Sequence, residues 1–200
     1  MKNFNEYFEN YIETKSRACR LVDIDHLNKF CEVMEDTIKS NNNIYLCGNG
    51  GSLSIANHML CDIFKQTSSN SKLKPLVFSL SSNYELISAI SNDISYDEVF
   101  SYQLERIASK KDLLITISSS GNSENIVRVL KKSKEMELYS VALTGFSGGR
   151  SKEFCSLNIH VPEDNYGIVE DAHQSIIHSI AQFLRKKYLD DDEDENKIVF

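Results

Sequence analysis

The chain has 200 residues, a net charge of −7 and a pI near 5.3, with 41% hydrophobic and 26% charged residues. This composition is ordinary for a globular domain, and the acidic balance argues against a basic face that binds nucleic acid. No apolar run is long enough to span a bilayer, and residues 1–10 lack the apolar core of a signal peptide. The five cysteines are scattered and odd in number, which predicts reduced thiols in a cytoplasmic protein.

Residues 1–40 predict two helices. Apolar residues recur at helical spacing within 4–12 and again within 27–38, and Val22–Asp25 separates the two stripes. Asp25 is the expected N-cap of the second helix, because a short acidic side chain accepts hydrogen bonds from the N–H groups of the first turn. We expect a helical hairpin that takes part in oligomerisation.

From residue 44 onward, short apolar runs alternate with helical segments. The predicted strands are Ile44–Cys47, Pro75–Leu80, Asp112–Ser118, Tyr139–Leu143 and Leu157–Val161. The predicted helices cover 52–66, 83–91, 123–137, 148–154 and 167–188. This alternation predicts an α/β fold with a doubly wound, five-stranded parallel sheet of flavodoxin-like type. Ligands of such sheets bind beyond the carboxyl ends of the strands, so the loops at those ends are the candidate sites.

The last twelve residues, 189–200, differ from the rest in composition. Asp190 to Glu195 are six consecutive acids, and with Lys197 they account for −5 of the net charge of −7. We expect one domain over residues 1–188 followed by a disordered, solvated tail, with a docking tail as the alternative.

The first predicted strand ends in the glycine-rich segment CGNGGS, residues 47–52, which leads into a helix. Glycines allow a sharp turn that brings N–H groups close to an anion, and the helix N-terminus adds partial positive charge. A dinucleotide fingerprint needs a third glycine where Leu53 stands, and the Gly-Lys-Ser/Thr of a P-loop is absent. The loop therefore predicts a site for a small anion or a sugar, with a purely structural turn as the alternative.

The third predicted strand leads into the serine-rich segment ISSSGNSEN, residues 117–125. Hydroxyl donors, backbone N–H groups and a helix N-terminus together predict a phosphate site that uses no lysine or arginine. The alternative is that Ser123 only caps the helix, which leaves the three preceding serines unexplained.

Two predicted helices carry histidine and carboxylate side chains. His58 and Asp62 are four residues apart and share a helix face. Glu170 and His178 are eight residues apart, hence only about 80° apart around the axis. Singly, such residues are more often structural, but four of them on helices flanking one end of a sheet predict a metal or acid–base site. By contrast, the Asn-Asp pair at 92–93 is typical of a turn between helices.

The motifs together resemble one family. Their order is that of phosphoheptose isomerases of the sugar isomerase (SIS) fold: CGNGGS at 47–52, His58, AISNDISYDEVF at 89–100, ISSSGNSENI at 117–126, VALTGFSGG at 141–149 and the helix that carries His178. The resemblance covers roughly residues 1–188.

The resemblance implies an enzyme that interconverts sedoheptulose 7-phosphate and glycero-manno-heptose 7-phosphate for lipopolysaccharide or capsule synthesis. It also implies a cytoplasmic homotetramer with active sites at subunit interfaces and, often, bound zinc. The implied substrate-binding residues are Asn49, Gly50, Gly51, Ser52, Asn92, Asp93, Ser118, Ser119, Ser120 and Ser123. The implied metal-binding or catalytic residues are His58, Asp62, Glu170 and His178.

Two positions depart from the family pattern, which usually has glutamate at position 62 and glutamine at position 170. Asp62 is one methylene shorter, and a small displacement is costly in an enzyme. Glu170 adds a negative charge. His58, Asp62, Glu170 and His178 nevertheless remain nitrogen and oxygen ligands suited to Zn²⁺ or another divalent metal.

The expected chemistry is aldose–ketose isomerisation of a phosphosugar. Asp62 or Glu170 would be the base that moves a proton between C1 and C2, and His178 the acid or proton shuttle. A zinc ion would polarise the carbonyl. Two alternatives remain open: a non-catalytic SIS protein, such as a scaffold that binds a replication initiator, and an isomerase of a different phosphosugar. No nucleic-acid or membrane partner is expected.

Overall fold

The computed structural model describes residues 3–189, so the acidic run at 190–195 lies outside it. Within that range the strands are β1 Asn43–Gly48, β2 Leu76–Ser79, β3 Leu113–Ser118, β4 Tyr139–Thr144 and β5 Leu157–His160. The α-helices are α1 Phe4–Arg20, α2 Ile24–Lys39, α3 Gly51–Cys61, α4 Tyr84–Asp93, α5 Ser101–Ile107, α6 Glu124–Glu135, α7 Ser151–Phe154 and α8 Tyr166–Lys187. A π-helical turn, Asp62–Gln66, continues α3, and a 3-10 turn, Tyr96–Glu98, follows α4.

The five strands form one parallel sheet in the order β2-β1-β3-β4-β5, which confirms the predicted fold class. The chain winds outward in one direction from β1 and in the other from β3, so the order reverses between these two neighbours. Ligands of doubly wound sheets bind in the crevice at this reversal. The fold therefore places the glycine-rich loop after β1 beside the serine-rich loop after β3.

Alternating side chains of the strands fill two cores. Along β3, Leu113, Ile115 and Ile117 pack into the core shared with α1, α2, α3 and α8, whereas Leu114 faces the core shared with α4, α5 and α6. This two-residue period is that of a strand buried on both faces. The helices that cover the sheet thereby hold their N-termini at fixed positions above its carboxyl edge.

The predicted helical hairpin is present as α1 and α2, but Asp25 is not the cap. Asp23 occupies the N-cap, and its carboxylate accepts hydrogen bonds from the N–H groups of Asp25 and His26. Helix α1 packs against α8, with the Tyr11 hydroxyl donating to Asp171. None of the helices in residues 3–189 is both long and apolar enough to cross a membrane.

Several elements differ from those predicted, and helix α7, expected from residue 148, begins only at Ser151. Helix α4 extends through residues 92 and 93, although these residues were expected in a turn. Asn83 caps the start of the helix, and the helical backbone continues for two residues beyond the predicted end. Helix α5 was not predicted as a helix, since its seven residues are too few to show a period. Leu189, assigned to the tail, forms an isolated antiparallel bridge with Ser71.

Candidate active site

A cavity of about 290 Å³ opens at the carboxyl ends of β1 and β3. Six of the predicted substrate-binding residues line it, together with Glu170: Asn49, Ser52, Ser118, Ser119, Ser120 and Ser123. No lysine or arginine belongs to this lining, which is drawn from the described residues. We call this space the serine cavity. The topology thus joins the two loops that the sequence singled out separately.

Two helices begin at the serine cavity without a side-chain cap. Helices α1, α2, α4 and α8 are capped by an asparagine or aspartate oxygen. Helix α3 instead has Gly50 at its N-cap, and helix α6 has Ser123, whose side chain makes no capping bond. Their first-turn N–H groups and partial positive charge therefore stay available to an anion, as a phosphate site requires. The Ser123 hydroxyl is also left for a ligand.

The serine loop is held in shape by the loop that follows β4. Gly145 donates its N–H to the carbonyl of Ser119 at 2.8 Å, and Ser151 donates its hydroxyl to the carbonyl of Gly121 at 2.8 Å. Gly121 has a φ of +63°, and a Cβ there would lie 2.2 Å from the carbonyl oxygen of Gly148, so only glycine fits. The Ser119 Oγ is buried without a hydrogen-bond partner. A buried hydroxyl without a partner at the wall of a cavity fits a bound ligand.

Glu170, on the second turn of α8, points its carboxylate into the serine cavity. A Cβ at Gly51 would lie 2.5 Å from Glu170 Oε1, so the glycine lets this carboxylate pack against the start of α3. Partial burial, and then the neighbouring charge of Asp171, raise the pKa of Glu170 above its ordinary value. The cavity therefore carries one acidic group beside its neutral donors.

A second group of functional side chains lies further along α3 and α8. Asp62 is 1% exposed, and its two carboxylate oxygens lie 3.3 Å from His58 Nε2 and 3.2 Å from His178 Nε2. The two Nε2 atoms are 3.1 Å apart. We call these three residues the His–Asp cluster. Glu170, predicted as a fourth member, lies outside this group and lines the serine cavity instead.

The His–Asp cluster has the donor set and spacing of a divalent-metal site. Ligands about 2.1 Å from one tetrahedral ion are roughly 3.4 Å apart, close to the separations observed. Asp62 Oδ2 is buried without a hydrogen-bond partner, as expected for an atom reserved for a cation. The Gln174 amide nitrogen lies 2.8 Å from His178 Nε2. Gln174, four residues before His178 on α8, therefore lies against the cluster.

The other histidine of α8, His173, faces the sheet. His173 is fully buried, and its Nε2 lies 3.2 Å from the carbonyl oxygen of Thr144. Burial lowers its pKa to about 4, so the ring is neutral at physiological pH. It supports the end of β4 and takes no part in the cluster.

Helices α3 and α8 run side by side in the same direction. Gly51 meets Glu170 at one end of the pair, and His58 meets His178 further along. The helical rise places the His–Asp cluster about 9–12 Å from the serine cavity. The two groups therefore lie one after the other along the same pair of helices.

The predicted substrate-binding pair at positions 92 and 93 is not brought to the cavity. Both residues are exposed at the end of α4, where the Asn92 amide donates to the Asp93 carboxylate at 2.8 Å. Neither lines the serine cavity. Their predicted role therefore receives no geometric support within one copy of the chain.

Several residues of the site had no individual role predicted, although Tyr96, Asn125 and Phe146 lie within the motifs that carry the resemblance. Phe146 and Tyr166 line the serine cavity, and Phe146 adopts a left-handed φ of +47°. Asn125 and Tyr96 hydrogen bond to Asn49. For Gln174 the sequence offered one indication of a place near the site: it stands four residues before His178 and so shares its helix face.

Comparison with known proteins agrees with this geometry. Residues 6–145 match the model of the SIS domain family. The phosphoheptose isomerase of Aliarcobacter butzleri is 36% identical over 158 residues, 79% of this chain and 83% of that protein. The phosphoheptose isomerase of Clostridium acetobutylicum is 32% identical over 98% of this chain and its whole length.

A solved structure shows the same fold. The phosphoheptose isomerase of Neisseria gonorrhoeae superposes with a TM-score of 0.83 at 26% identity, over 92% of this chain and 97% of that one. The motifs, the doubly wound sheet and the relatives at more than 30% identity agree, and the chain belongs to the phosphoheptose isomerase family of SIS-domain proteins.

Proposed function

We propose that this protein is a phosphosugar aldose–ketose isomerase that converts sedoheptulose 7-phosphate into glycero-manno-heptose 7-phosphate. The observation that carries the proposal is a cavity lined by serine hydroxyls and, further along the same two helices, a buried carboxylate between two imidazoles. The product would supply heptose for lipopolysaccharide or capsule synthesis.

The serine cavity is proposed to hold the phosphate. Its serine hydroxyls and the open N-termini of α3 and α6 donate hydrogen bonds to an anion without a formal positive charge. Asn49, Gly50, Gly51 and Ser52 would border the sugar chain as it leaves the cavity. Binding energy gained here, far from the reacting carbons, holds C1 and C2 at the His–Asp cluster.

Proton transfer is assigned to the His–Asp cluster. Asp62, held between His58 and His178, is the base that moves a proton between C1 and C2, and His178 is the acid at the carbonyl oxygen. Glu170 is the alternative base. It lies with the phosphate donors rather than with the histidines, so we assign it to the sugar end of the cavity.

His58, Asp62 and His178 are proposed to hold Zn²⁺, whereas Glu170, the fourth ligand that the resemblance implied, lines the serine cavity instead. Such an ion supplies Lewis-acid polarisation of the substrate carbonyl. Asp62 has two oxygens, so one can hold a metal while the other takes the proton. The side chain of Asp62 is shorter than the glutamate of the family, so its metal-binding oxygen and its proton-accepting oxygen both lie close to the backbone at the end of α3.

The assembly is proposed to be a homo-oligomer, in the family pattern a tetramer, built on residues 1–188 as one domain. Helix α1 exposes Phe4, Tyr7 and Phe8, and a groove of about 580 Å³ lies between α1, α2 and α8 with Phe183 at its wall. A helix face this apolar fits a subunit contact. Free cysteines agree with the cytoplasm, where thiols stay reduced.

The test is an isomerase assay on sedoheptulose 7-phosphate in which NMR of the sugar carbons monitors the conversion. Ribulose and fructose phosphates serve as comparison substrates. We expect turnover of the seven-carbon ketose. Turnover of a different phosphosugar alone would correct the substrate, and phosphosugar binding without any turnover would favour a non-catalytic role.

The metal is tested by elemental analysis of the purified protein. We expect zinc or another divalent ion in wild type and at least a tenfold lower content in His178→Ala, because the variant loses one of three ligands. His26→Ala is the matched control, since His26 lies on α2, away from the cluster, and its ring nitrogen bonds the carbonyl of Asn158. Equal metal content in all three proteins would refute the assignment of the cluster as a metal site.

A further inference from the structure

The side chain of Asn49 belongs to a three-residue hydrogen-bond network. Its amide and that of Asn125 are paired head to tail, with Asn49 Nδ2 donating to Asn125 Oδ1 at 2.8 Å and Asn125 Nδ2 donating to Asn49 Oδ1 at 3.0 Å. Asn125, 2% exposed, lies in the first turn of α6. The pair therefore ties the glycine-rich loop to the serine-rich loop across the serine cavity.

An amide pair of this kind does not by itself fix its own direction. If both side chains turned over together, donors and acceptors would exchange and the two bonds would re-form. In one orientation Asn49 offers its remaining N–H to the serine cavity, and in the other it offers an oxygen lone pair. A phosphosugar, rich in acceptor oxygens, would discriminate strongly between the two.

Tyr96 breaks this symmetry. Its hydroxyl donates to Asn49 Oδ1 at 2.9 Å, so this oxygen accepts two hydrogen bonds and both of its lone pairs are used. One N–H of Asn49 is left without a partner within the network, at the wall of the cavity. Because a phenol hydroxyl donates a hydrogen bond more strongly than it accepts one, Tyr96 favours the orientation in which Asn49 is a donor.

Tyr96 is itself held in place from the same helix that carries Asn125. Its 3-10 turn is joined to α6 by Arg128, which pairs with Glu98 and lies 3.5 Å from Asp97. Arg128 and Asn125 are three residues apart and so share one face of α6. The Tyr96 ring, though 53% exposed, is therefore positioned relative to the amide pair.

We propose that Tyr96 is a positioning residue that acts through Asn49, holding its amide so that an N–H faces an acceptor oxygen of the phosphosugar. The inference rests on the proposed function, because it names the ligand of that site. The role is one of recognition: a donor that meets the same oxygen in ground and transition states lowers KM and leaves kcat unchanged.

The test compares Tyr96→Phe with wild type, by calorimetric binding of sedoheptulose 7-phosphate and by steady-state kinetics. We expect Kd and KM to rise about fivefold with kcat within about twofold, as for one weakened hydrogen bond to a ligand. Tyr84→Phe is the matched control, since Tyr84 is 63% exposed and its hydroxyl has no recorded partner among residues 3–189. Unchanged binding in Tyr96→Phe would overturn the inference.

A double-mutant cycle separates an indirect role from a direct one. If Tyr96 acts through Asn49, Tyr96→Phe has no further effect on Kd in an Asn49→Ala background. A full effect that persists in that background would show direct contact with the substrate and overturn the inference. If the wild-type protein does not bind sedoheptulose 7-phosphate, the proposed function and this inference are both refuted. If the wild-type protein binds it normally and Tyr96→Phe binds it equally well, only this inference is refuted.

Discussion

The serine cavity and the His–Asp cluster lie at different positions along helices α3 and α8 and are built on different principles. As proposed, the cavity would bind an anion through small hydroxyls, backbone N–H groups and two open helix ends, and its lining within residues 3–189 has no lysine or arginine. The cluster has only three side chains, one of them a buried carboxylate. Anion binding in the serine cavity would therefore be distributed over many donor groups, whereas the chemistry in the His–Asp cluster would be concentrated in three side chains.

This difference predicts how the cavity and the cluster tolerate change. A distributed site loses a fraction of its affinity when one donor is removed, because neighbouring donors and water take over part of its role. A concentrated site loses its function when one side chain is replaced, since no neighbour has the same chemistry. The following variants test that contrast.

Asp62→Asn should have the largest effect. The variant keeps the shape of the side chain but removes the base, so kcat should fall by at least about 1,000-fold, while phosphosugar binding stays measurable by calorimetry. Asp36→Asn, an exposed change on α2, is the control and should retain full activity. An Asp62→Asn enzyme with normal kcat would remove Asp62 from the mechanism and leave Glu170 as the base.

Ser119→Ala should have an intermediate effect, confined to binding. Its hydroxyl is buried and makes no bond within the described chain, so its removal should leave the melting temperature nearly unchanged and weaken phosphosugar binding about tenfold. Ser147→Ala, on an exposed loop, is the control. A lower melting temperature with unchanged Kd would show that the hydroxyl serves the fold and not the ligand.

Glu170→Gln should have the smallest effect, and in the opposite direction. Removing a negative charge beside the donors should tighten binding of inorganic phosphate by a few fold at neutral pH. Burial raises the pKa of Glu170, so the wild-type carboxylate becomes neutral as the pH falls through that raised value. The difference in phosphate affinity between Glu170→Gln and wild type should therefore become smaller as the pH is lowered from about 8 to about 5.

The same raised pKa has a consequence for stability. A carboxyl group whose pKa is higher in the folded than in the unfolded chain binds its proton more tightly when folded, so it makes folding less favourable as the pH rises. Glu170→Gln should therefore unfold at a slightly higher temperature than wild type at neutral pH, and at the same temperature in acid. An equal or lower melting temperature at neutral pH would mean that the charged carboxylate is stabilised by the start of α3.

Much of the fold was predictable because burial on both faces leaves short apolar runs, and all five strands lie within one or two residues of the predicted ones. The prediction errors occur where an element is too short to show a hydrophobic period, or where a second residue nearby can serve as the helix cap. Asp23 rather than Asp25 caps α2, and both residues are acids in one acidic turn. The seven residues of α5 make fewer than two full turns, too few to show an amphipathic period.

The chemistry of the two loops and the pairing of His58 with Asp62 follow from the sequence itself. Glycine, serine and helix start are local properties, and residues four apart on a helix share a face in any fold. Whether Ser123 is a cap or a ligand donor was open on those grounds. The structure favours the donor, since its side chain makes no capping bond.

Only the tertiary structure decided which distant residues meet. His178 reaches His58 across 120 residues and Tyr96 reaches Asn49 across 47, because parallel strand order brings the ends of β1 and β3 together and sets α8 beside α3. Glu170, predicted beside His178, turns into the serine cavity because Gly51 leaves room there. Sequence determines which groups a segment can offer, whereas packing determines which of them face the same space.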